Sequence, residues 1–321
     1  MLKGAIIGFG EVARHGHLPT YKASSDVKIV AVVDRTDERR RLARELLPTI
    51  ATFSNIEELA NNVEIDFADI CTPPAFHSEP MFDALTRGWN VLCEKPLLLD
   101  LVEFEKARNL AKETNRAIVP VHNWKYAPIV RRATELSRSG AIGTLRQIEI
   151  ETLRFQDCAV ADPDHPNWRR DPAIAGGGIL MDHGWHAIYL VLHWFGEEPI
   201  DVHASLHRPA PNEAEDEAKL ELRFPSGTAN IFLTWRAKLR RNKMRLIGDQ
   251  GEIVIDDDRL KTADDSVQFE NGLSAGSHHP DWFAAMLPDV IAGFRSREIA
   301  LKSFEEAALC LSVIRRAYQE S

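Results

Sequence analysis

The stretch GAIIGFGEVA, residues 4–13, carries an apolar, β-branched run straight into a glycine turn. Its second part, Gly8-Phe9-Gly10-Glu11-Val12-Ala13, reads G-x-G-x-x-A, placed after a strand and at the start of a helix. The first glycine permits the tight turn, and the second lets the backbone approach a pyrophosphate. The helix start adds free N–H groups and the positive end of a dipole. By itself the motif is weak. Its context strengthens it, because a second apolar run, VKIVAVV at 27–33, ends at Asp34, 24 residues past Gly10 (34 − 10). A carboxylate at that place accepts hydrogen bonds from an adenosine ribose. Asp34 favours NAD, since it would repel the 2′-phosphate of NADP. Arg35 beside it leaves NADP open, because a guanidinium pairs with phosphate. The alternative for Arg35 is a solvated charge ahead of the basic helix ERRRLAREL.

Further apolar runs follow at 65–71, 89–93 and 117–121, with helical stretches between them. Strands without polar alternation, each followed by a helix, imply a parallel sheet covered on both faces, with ligands bound beyond the carboxyl ends of its strands. Ser54 with Glu57 and Asp100 with Glu103 fit capping boxes, and Gly88 sits where a left-handed helix cap belongs. The third run ends in Cys71-Thr72-Pro73-Pro74, with His77 shortly after. Two prolines force the chain out of the sheet there, so Thr72 and Pro73 line the expected cleft. His77 either reaches the phosphates or belongs to the next helix start.

The fourth run delivers Glu94, Lys95 and Pro96 to the same edge. An ammonium beside a nicotinamide ring would hydrogen-bond a substrate oxygen and stabilise an alkoxide. The ordinary alternative is a lysine snorkelling to solvent. A second motif, GGGILMDHGWHAIYL at 176–190, weighs against that alternative. Asp182 and His186 stand four apart, on one helix face, where a histidine suits acid-base work and a carboxylate can orient it. Two such ligands fall short of a catalytic metal site, so no metal is expected. His183 and His193 are expected on other faces or packed within the helix.

At 321 residues the chain exceeds the usual size of a single core, so two domains are expected. Hydrophobic residues make up 44% and charged residues 27%, which excludes disorder; a net charge of −9 disfavours nucleic acid. Cys71, Cys93, Cys158 and Cys310 form no CxxC pair, which points to reduced thiols and a cytoplasmic protein. The N-terminal stretch meets glycines before a signal-type segment develops. The longest apolar run, WHAIYLVLHWF, is broken by histidines and too short to span a bilayer, so no membrane association is expected.

Taken in order, G-x-G-x-x-A, Thr-Pro-Pro with its following His, Glu-Lys-Pro and Gly-Gly-Gly-x-x-x-Asp-x-Gly-x-His resemble the Gfo/Idh/MocA oxidoreductases, the glucose-fructose oxidoreductase and inositol dehydrogenase family. The resemblance runs from about residue 3 to the C-terminus. It implies an α/β chain: a Rossmann domain with a doubly wound parallel sheet over residues 1–122, then an α/β domain with a large, mostly antiparallel sheet over 123–321. The helix expected at 303–319 docks back. It further implies that Lys95, Asp182 and His186 form the catalytic group. The cofactor would lie on Gly8, Phe9, Gly10, Glu11, Val12, Asp34, Arg35, Thr72, Pro73, His77, Glu94 and Lys95. One face of the second sheet would hold substrate, and the other would join subunits into a homodimer or homotetramer.

In the second half, Asn123, Lys125 and Pro128 stand where relatives often read Asn-x-Arg-x-x-Pro; the lysine keeps the charge and loses the planar fork. Trp124, Lys125, Trp168 and Arg169 are the candidate substrate residues, the indoles being suited to the C–H faces of sugars or cyclitols. Each tryptophan has core packing as its alternative. Strand-like alternation recurs in LRQIEIETLRF, AKLELRF, TANIFLTW and GEIVID, and the basic run RAKLRRNKMR is expected as a solvated hairpin or subunit contact. The expected activity is NAD(P)-dependent hydride transfer at a secondary alcohol or ketone of a sugar, cyclitol or derivative. Two rivals are an NAD-dependent glycoside-cleaving enzyme with transient redox and a non-catalytic NAD(P)-binding regulator.

Overall fold

The computed structural model describes residues 1–155, 167–211 and 213–321. Cys158 and the segment DPDHP, 162–166, lie outside the described residues.

The apolar runs become strands, and the capped segments between them become helices. In chain order these are β1 (Leu2–Ile7), α1 (Leu18–Ala23), β2 (Val27–Val33), α2 (Asp37–Leu46), β3 (Ala51–Phe53), α3 (Ile56–Asn62), β4 (Phe67–Ile70), α4 (Ser78–Thr86), β5 (Asn90–Cys93), α5 (Leu101–Thr114) and β6 (Ile118–Pro120). A π-helical turn, Val12–His17, precedes α1. The strands form one parallel sheet in the order β3-β2-β1-β4-β5-β6. The chain winds outward from β1 to β3, then returns to β4 on the other side of β1, which makes the β1/β4 boundary the switch point where such sheets bind ligands.

Register brings the candidate groups into one row. Ile7 pairs with Val33 and with Ile70, and Ile70 pairs with Cys93. The next residues, Gly8, Asp34, Cys71 and Glu94, therefore leave the sheet side by side. β3 was not expected: its three residues are only half-buried, so no apolar run marks it. The cap of α3 also differs from the expected Ser54–Glu57 box. Asn55 accepts the Glu58 N–H at 2.9 Å, and Glu58 reaches back to the Ser54 N–H at 3.0 Å, which is the same reciprocal device one residue later. Asp100 caps α5 by accepting the Val102 N–H, and Gly88 has the expected positive φ of 78°.

The second half contributes α6 (Pro128–Arg138), β7 (Leu145–Leu153), α7 (Pro172–Ala175), α8 (Trp185–Phe195), β8 (Asp201–His207), β9 (Glu217–Arg223), β10 (Thr228–Thr234), β11 (Arg241–Gly248), β12 (Glu252–Asp256), β13 (Arg259–Lys261) and β14 (Ser266–Gln268). Its sheet has the order β14-β13-β12-β11-β7-β10-β9-β8 and is antiparallel except for the parallel β7/β10 pair. Burial alternates along β7, with Ile148, Ile150 and Thr152 inside and Glu149 and Glu151 half-exposed, as a sheet with one solvated face requires. The basic run is corrected here: its second part is β11, which pairs with β7 and not with β10, so 236–245 is no hairpin. Arg245 meets Glu149 and Glu252 across neighbouring strands at 2.7 and 2.6 Å, so the charges that mimic a loop are cross-strand pairs.

Two helices close the chain, α9 (Pro280–Arg295) and α10 (Arg297–Glu320). Met1–Val121 and His278–Ala308 form one compact unit, and His122–Ser277 with Leu309–Ser321 form the other. Phe304, Ala307, Cys310, Leu311, Val313, Ile314 and Ala317 of α10 are buried, an apolar stripe at helical spacing. Among the described residues no helix is long and apolar enough to cross a membrane, and Cys71, Cys93 and Cys310 are free thiols.

Candidate active site

In the first unit the glycine turn has the features a dinucleotide needs. Gly8 has φ +89°, and a Cβ there would crowd Thr72 Cγ2 at 2.9 Å. Among the described residues nothing lies within 4 Å of a would-be Cβ on Gly10, so the backbone there could approach a pyrophosphate at the start of the Val12–His17 turn. The Phe9 ring is fully buried, and its N–H donates to Asp34 Oδ2 at 2.8 Å. Asp34 Oδ1 accepts from the Thr36 N–H and hydroxyl at 2.9 and 3.0 Å. These bonds hold the carboxylate rigidly beside the turn, with lone pairs to spare for ribose hydroxyls. Glu11 pairs with Arg14 and lies 3.4 Å from His15 Nε2, so it also supports its own helical turn. The Arg35 guanidinium lies over the Phe76 ring at 5.1 Å, and Arg39 comes within 3.9 Å of Asp34. The residues present fit an adenine dinucleotide, and a cation, Arg39, stands near Asp34.

His77 is fully buried, and its ring nitrogens meet the carbonyls of Thr72 at 2.7 Å and Pro96 at 2.9 Å. Burial holds its pKa below the ordinary histidine value. It ties the Thr72-Pro73 exit to the Pro96 turn, a scaffolding position that the sequence leaves undecided. The Lys95–Pro96 peptide is cis.

Beneath Glu94 and Lys95 lies a buried charged cluster that sequence reading missed. His17 Nδ1–H donates to Asp69 Oδ2 at 2.8 Å, and its Nε2–H donates to Glu94 Oε1 at 3.0 Å. The Tyr21 hydroxyl also donates to Asp69 Oδ2, at 2.9 Å. Glu94 Oε2 accepts the Lys95 backbone N–H at 3.1 Å. His17 is 2% exposed and Asp69 is wholly buried. Burial opposes the charge on His17, but the Asp69 carboxylate outweighs it and holds the imidazole pKa well above its usual value. Burial likewise pushes Glu94 up, and the His17 bond and charge bring it below the usual carboxylate range. Asp69 is the one charged residue in the run IDFADIC after its first strand position, and a buried acid in a parallel strand needs a partner. That was the available signal.

In the second unit, the glycine run is explained by close packing. Gly176 caps α7 at φ +83°; a Cβ on Gly177 would strike the Tyr318 hydroxyl, and one on Gly178 would strike the Glu215 carbonyl. The buried Glu215 carboxylate accepts the N–H groups of Gly178 at 2.9 Å and Leu180 at 3.0 Å, together with the Tyr318 hydroxyl at 2.8 Å. Burial raises its pKa. The carboxylate thus caps the helical segment that carries the Asp/His motif.

That segment opens as a π-helical turn, Leu180–Gly184, before α8. Asp182 Oδ2 lies 3.3 Å from His183 Nδ1 and 3.9 Å from Arg169 Nε. The buried Arg154 donates to His183 Nε2 at 3.2 Å, which leaves the proton of the neutral ring on Nδ1, facing Asp182. His183, expected as packing, therefore backs the candidate acid. His186 is 9% exposed; its ring stacks on Trp124 at 4.8 Å, and its Nδ1 meets the Tyr189 hydroxyl at 2.8 Å. Tyr189 in turn accepts the Trp124 N–H at 3.1 Å. Lys125 Nζ lies 5.6 Å from the Tyr189 ring, so Trp124, Lys125, His186 and Tyr189 form one group. Trp185 is core, donating to His122 Nε2 at 3.1 Å, and Arg169 stacks over Trp168 at 4.3 Å.

A doubly wound sheet with this glycine turn and acid defines a dinucleotide-binding protein. Residues 2–122 match the oxidoreductase family with an NAD-binding Rossmann fold, and residues 130–254 match the GFO/IDH/MocA C-terminal domain. The chain belongs to the GFO/IDH/MocA oxidoreductase family. It is 30% identical over 192 residues to oxidoreductase P35 of Formosa agariphila, a match covering 60% of this chain and 60% of that protein. It is 26% identical over 198 residues to D-glucoside 3-dehydrogenase of Escherichia coli K12, covering 61% of this chain and 54% of that protein. Both matches thus span less than two thirds of the relative's length. Its fold superposes on an aldose-aldose oxidoreductase from Caulobacter crescentus, crystallised with glycerol, with a TM-score of 0.83 at 24% identity, covering 99% of this chain and 97% of that one.

Proposed function

We propose that the protein is an NAD(P)-dependent dehydrogenase or reductase that interconverts a secondary alcohol and ketone on a sugar, cyclitol or derivative. The carrying observation is the sheet register that sends the Gly8-x-Gly10 turn, Asp34 and the Glu94-Lys95 pair out of one edge. The relationship to a glucoside 3-dehydrogenase supports the substrate class. A nicotinamide dinucleotide held on the Gly8–Gly10 turn and Asp34 would supply the hydride acceptor. On this reading, Lys95 hydrogen-bonds the substrate oxygen and favours its ionised form. His186 takes the hydroxyl proton at Nε2 while its Nδ1 is held by Tyr189. The carbinol carbon gives up its hydride and the oxygen its proton, so the product is the ketone. Asp182, backed by His183 and Arg154, supplies negative charge that orients the histidine's protonated state. Residues 1–122 would act as the cofactor domain and the following part as the substrate and subunit-forming domain, in a homodimer or homotetramer.

Asp34 favours NAD, and Arg35 and Arg39 allow a 2′-phosphate, so both dinucleotides belong in the test. Purified protein is mixed with NAD or NADP and a panel of sugars, cyclitols and sugar acids, and the reduced-nicotinamide absorbance is followed. A rise with one class and one cofactor is the expected result. Lys95→Ala should leave dinucleotide binding largely intact and turn over at least about 100-fold more slowly, the loss typical of a proton-handling group. Undiminished turnover in that variant would remove Lys95 from the chemistry.

A further inference from the structure

We propose that His17 is a positioning residue for the catalytic lysine: a doubly donating imidazolium that clamps Glu94 against Asp69 and so fixes the backbone from which Lys95 projects. The inference rests on the reading of Lys95 as the group that binds the substrate oxygen.

The geometry decides the protonation of the ring. Both nitrogens of His17 face carboxylate oxygens, Asp69 Oδ2 at 2.8 Å and Glu94 Oε1 at 3.0 Å, and a carboxylate offers only acceptors. Each nitrogen therefore carries a proton. The Phe283 ring lies flat on the imidazole at 3.9 Å with an interplanar angle of 4°, which closes that face and suits a delocalised cation. The titratable groups around the ring are Tyr21 on α1, Asp69 and Cys71 from β4 and its end, and Glu94 with Lys95 from the end of β5; α9 meets it with Phe283.

His17, Asp69 and Cys71 also place three donor atoms within 4.8 Å of one another, the outline of a metal site. Their protons argue for a clamp. A metal needs a bare imidazole nitrogen and a thiolate, whereas Nδ1–H is engaged by Asp69 and burial pushes the Cys71 thiol up to about 12. Glu94 spends Oε1 on His17 and Oε2 on the Lys95 N–H, so both of its oxygens serve to hold the chain at that point. His17 also ends the helical turn that begins just past Gly10. One rigid segment thus joins the pyrophosphate-binding backbone to the strand end bearing Lys95, and cofactor seat and catalytic amine are set by the same ring.

Two measurements on the full chain test this. With histidine labelled in 15N, His17, assigned in the wild type through its contact with the stacked Phe283 ring, should remain doubly protonated at about pH 8, above the ordinary histidine pKa of about 6.5. A neutral ring at that pH, with or without bound zinc, overturns the proposal even if the variant does not fold. In folded His17→Gln, kcat should fall about 100-fold, the loss expected when a reacting group shifts by about 1 Å. The acid limb of its pH–rate profile should also move to higher pH, because Glu94 loses the imidazolium that keeps it ionised. Reduced activity with an unmoved limb, in proportion to folded protein, would show a merely structural histidine. If Lys95→Ala retained turnover while His17 stayed doubly protonated, the lysine assignment would fail and the clamp would stand.

Discussion

A charged imidazole with almost no solvent contact is tolerated only while its partners are ionised, and this ties the fold of the first unit to pH. Burial penalises His17, and Asp69 overcomes that penalty, so its folded pKa lies well above its unfolded value of about 6.5. Its stabilising contribution is therefore complete below about pH 6.5 and is lost as pH rises through the folded value. Glu94 runs the other way: its pKa is depressed, so its contribution is present above about pH 4.3 and disappears as pH falls through the folded value. Removing one partner of a buried pair costs about 3–5 kcal/mol because the other charge is left uncompensated. The thermal midpoint of the wild type minus that of His17→Gln should be largest between about pH 4.3 and 6.5 and shrink toward alkaline pH. A difference that grew with pH would mean that the folded ring is neutral.

Among the elements, the segment from Gly176 into α8 shows how a loop residue controls a helix. Glu215 stands in a polar stretch between β8 and β9, yet it caps the Gly178 and Leu180 N–H groups and receives Tyr318 from α10. A methyl group at Gly178 would press on the Glu215 carbonyl. Gly178→Ala should therefore lower stability by about 1–3 kcal/mol, the range for overpacking, and slow turnover by shifting Asp182 and His186. Dinucleotide affinity, which belongs to the other unit, should be kept; calorimetry of unfolding and of NAD binding would separate the two effects. A variant as stable and active as wild type would remove the cap from the account. The glycine run was visible in the sequence as a motif, but its reason was not, because Glu215 looks like any acid in PNEAEDEA. The same contrast holds for strands. VKIVAVV is β2 to the residue, since continuous β-branched apolar residues have few other uses. ATF is too short and too exposed to announce β3, and RNKMRLIG hides β11 because its charges are neutralised only by acids on β7 and β12. Lys95, Asp182 and His186 stand out in the sequence as candidates through motif spacing. His17, Asp69, Arg154 and Tyr189 do not, since their roles depend on partners brought together by the sheet and helix packing.

For the whole molecule, charge on the second sheet bears on the proposed assembly. A groove along it is bordered by charges of both signs, Glu149, Glu151, Lys219, Glu221 and Arg245, around the Phe232 ring. Much of its charge is already paired within the chain, Arg245 with Glu149 and Glu252, and Arg241 with Asp256 at 2.5 Å. A second copy docking on such a surface would have to match these ladders charge to charge. Exposed pairs are screened once ionic strength brings the Debye length from about 10 Å at 0.1 M to about 3 Å at 1 M. Self-association through this face should therefore weaken as salt is raised, and Phe232→Glu, which puts a further acid among Glu149, Glu151 and Glu221, should weaken it at low salt as well. Sedimentation velocity over a salt series reads both effects. A monomer at every ionic strength would refute the proposed oligomer, and an oligomer indifferent to salt and to the Phe232 substitution would place the subunit contact on another surface.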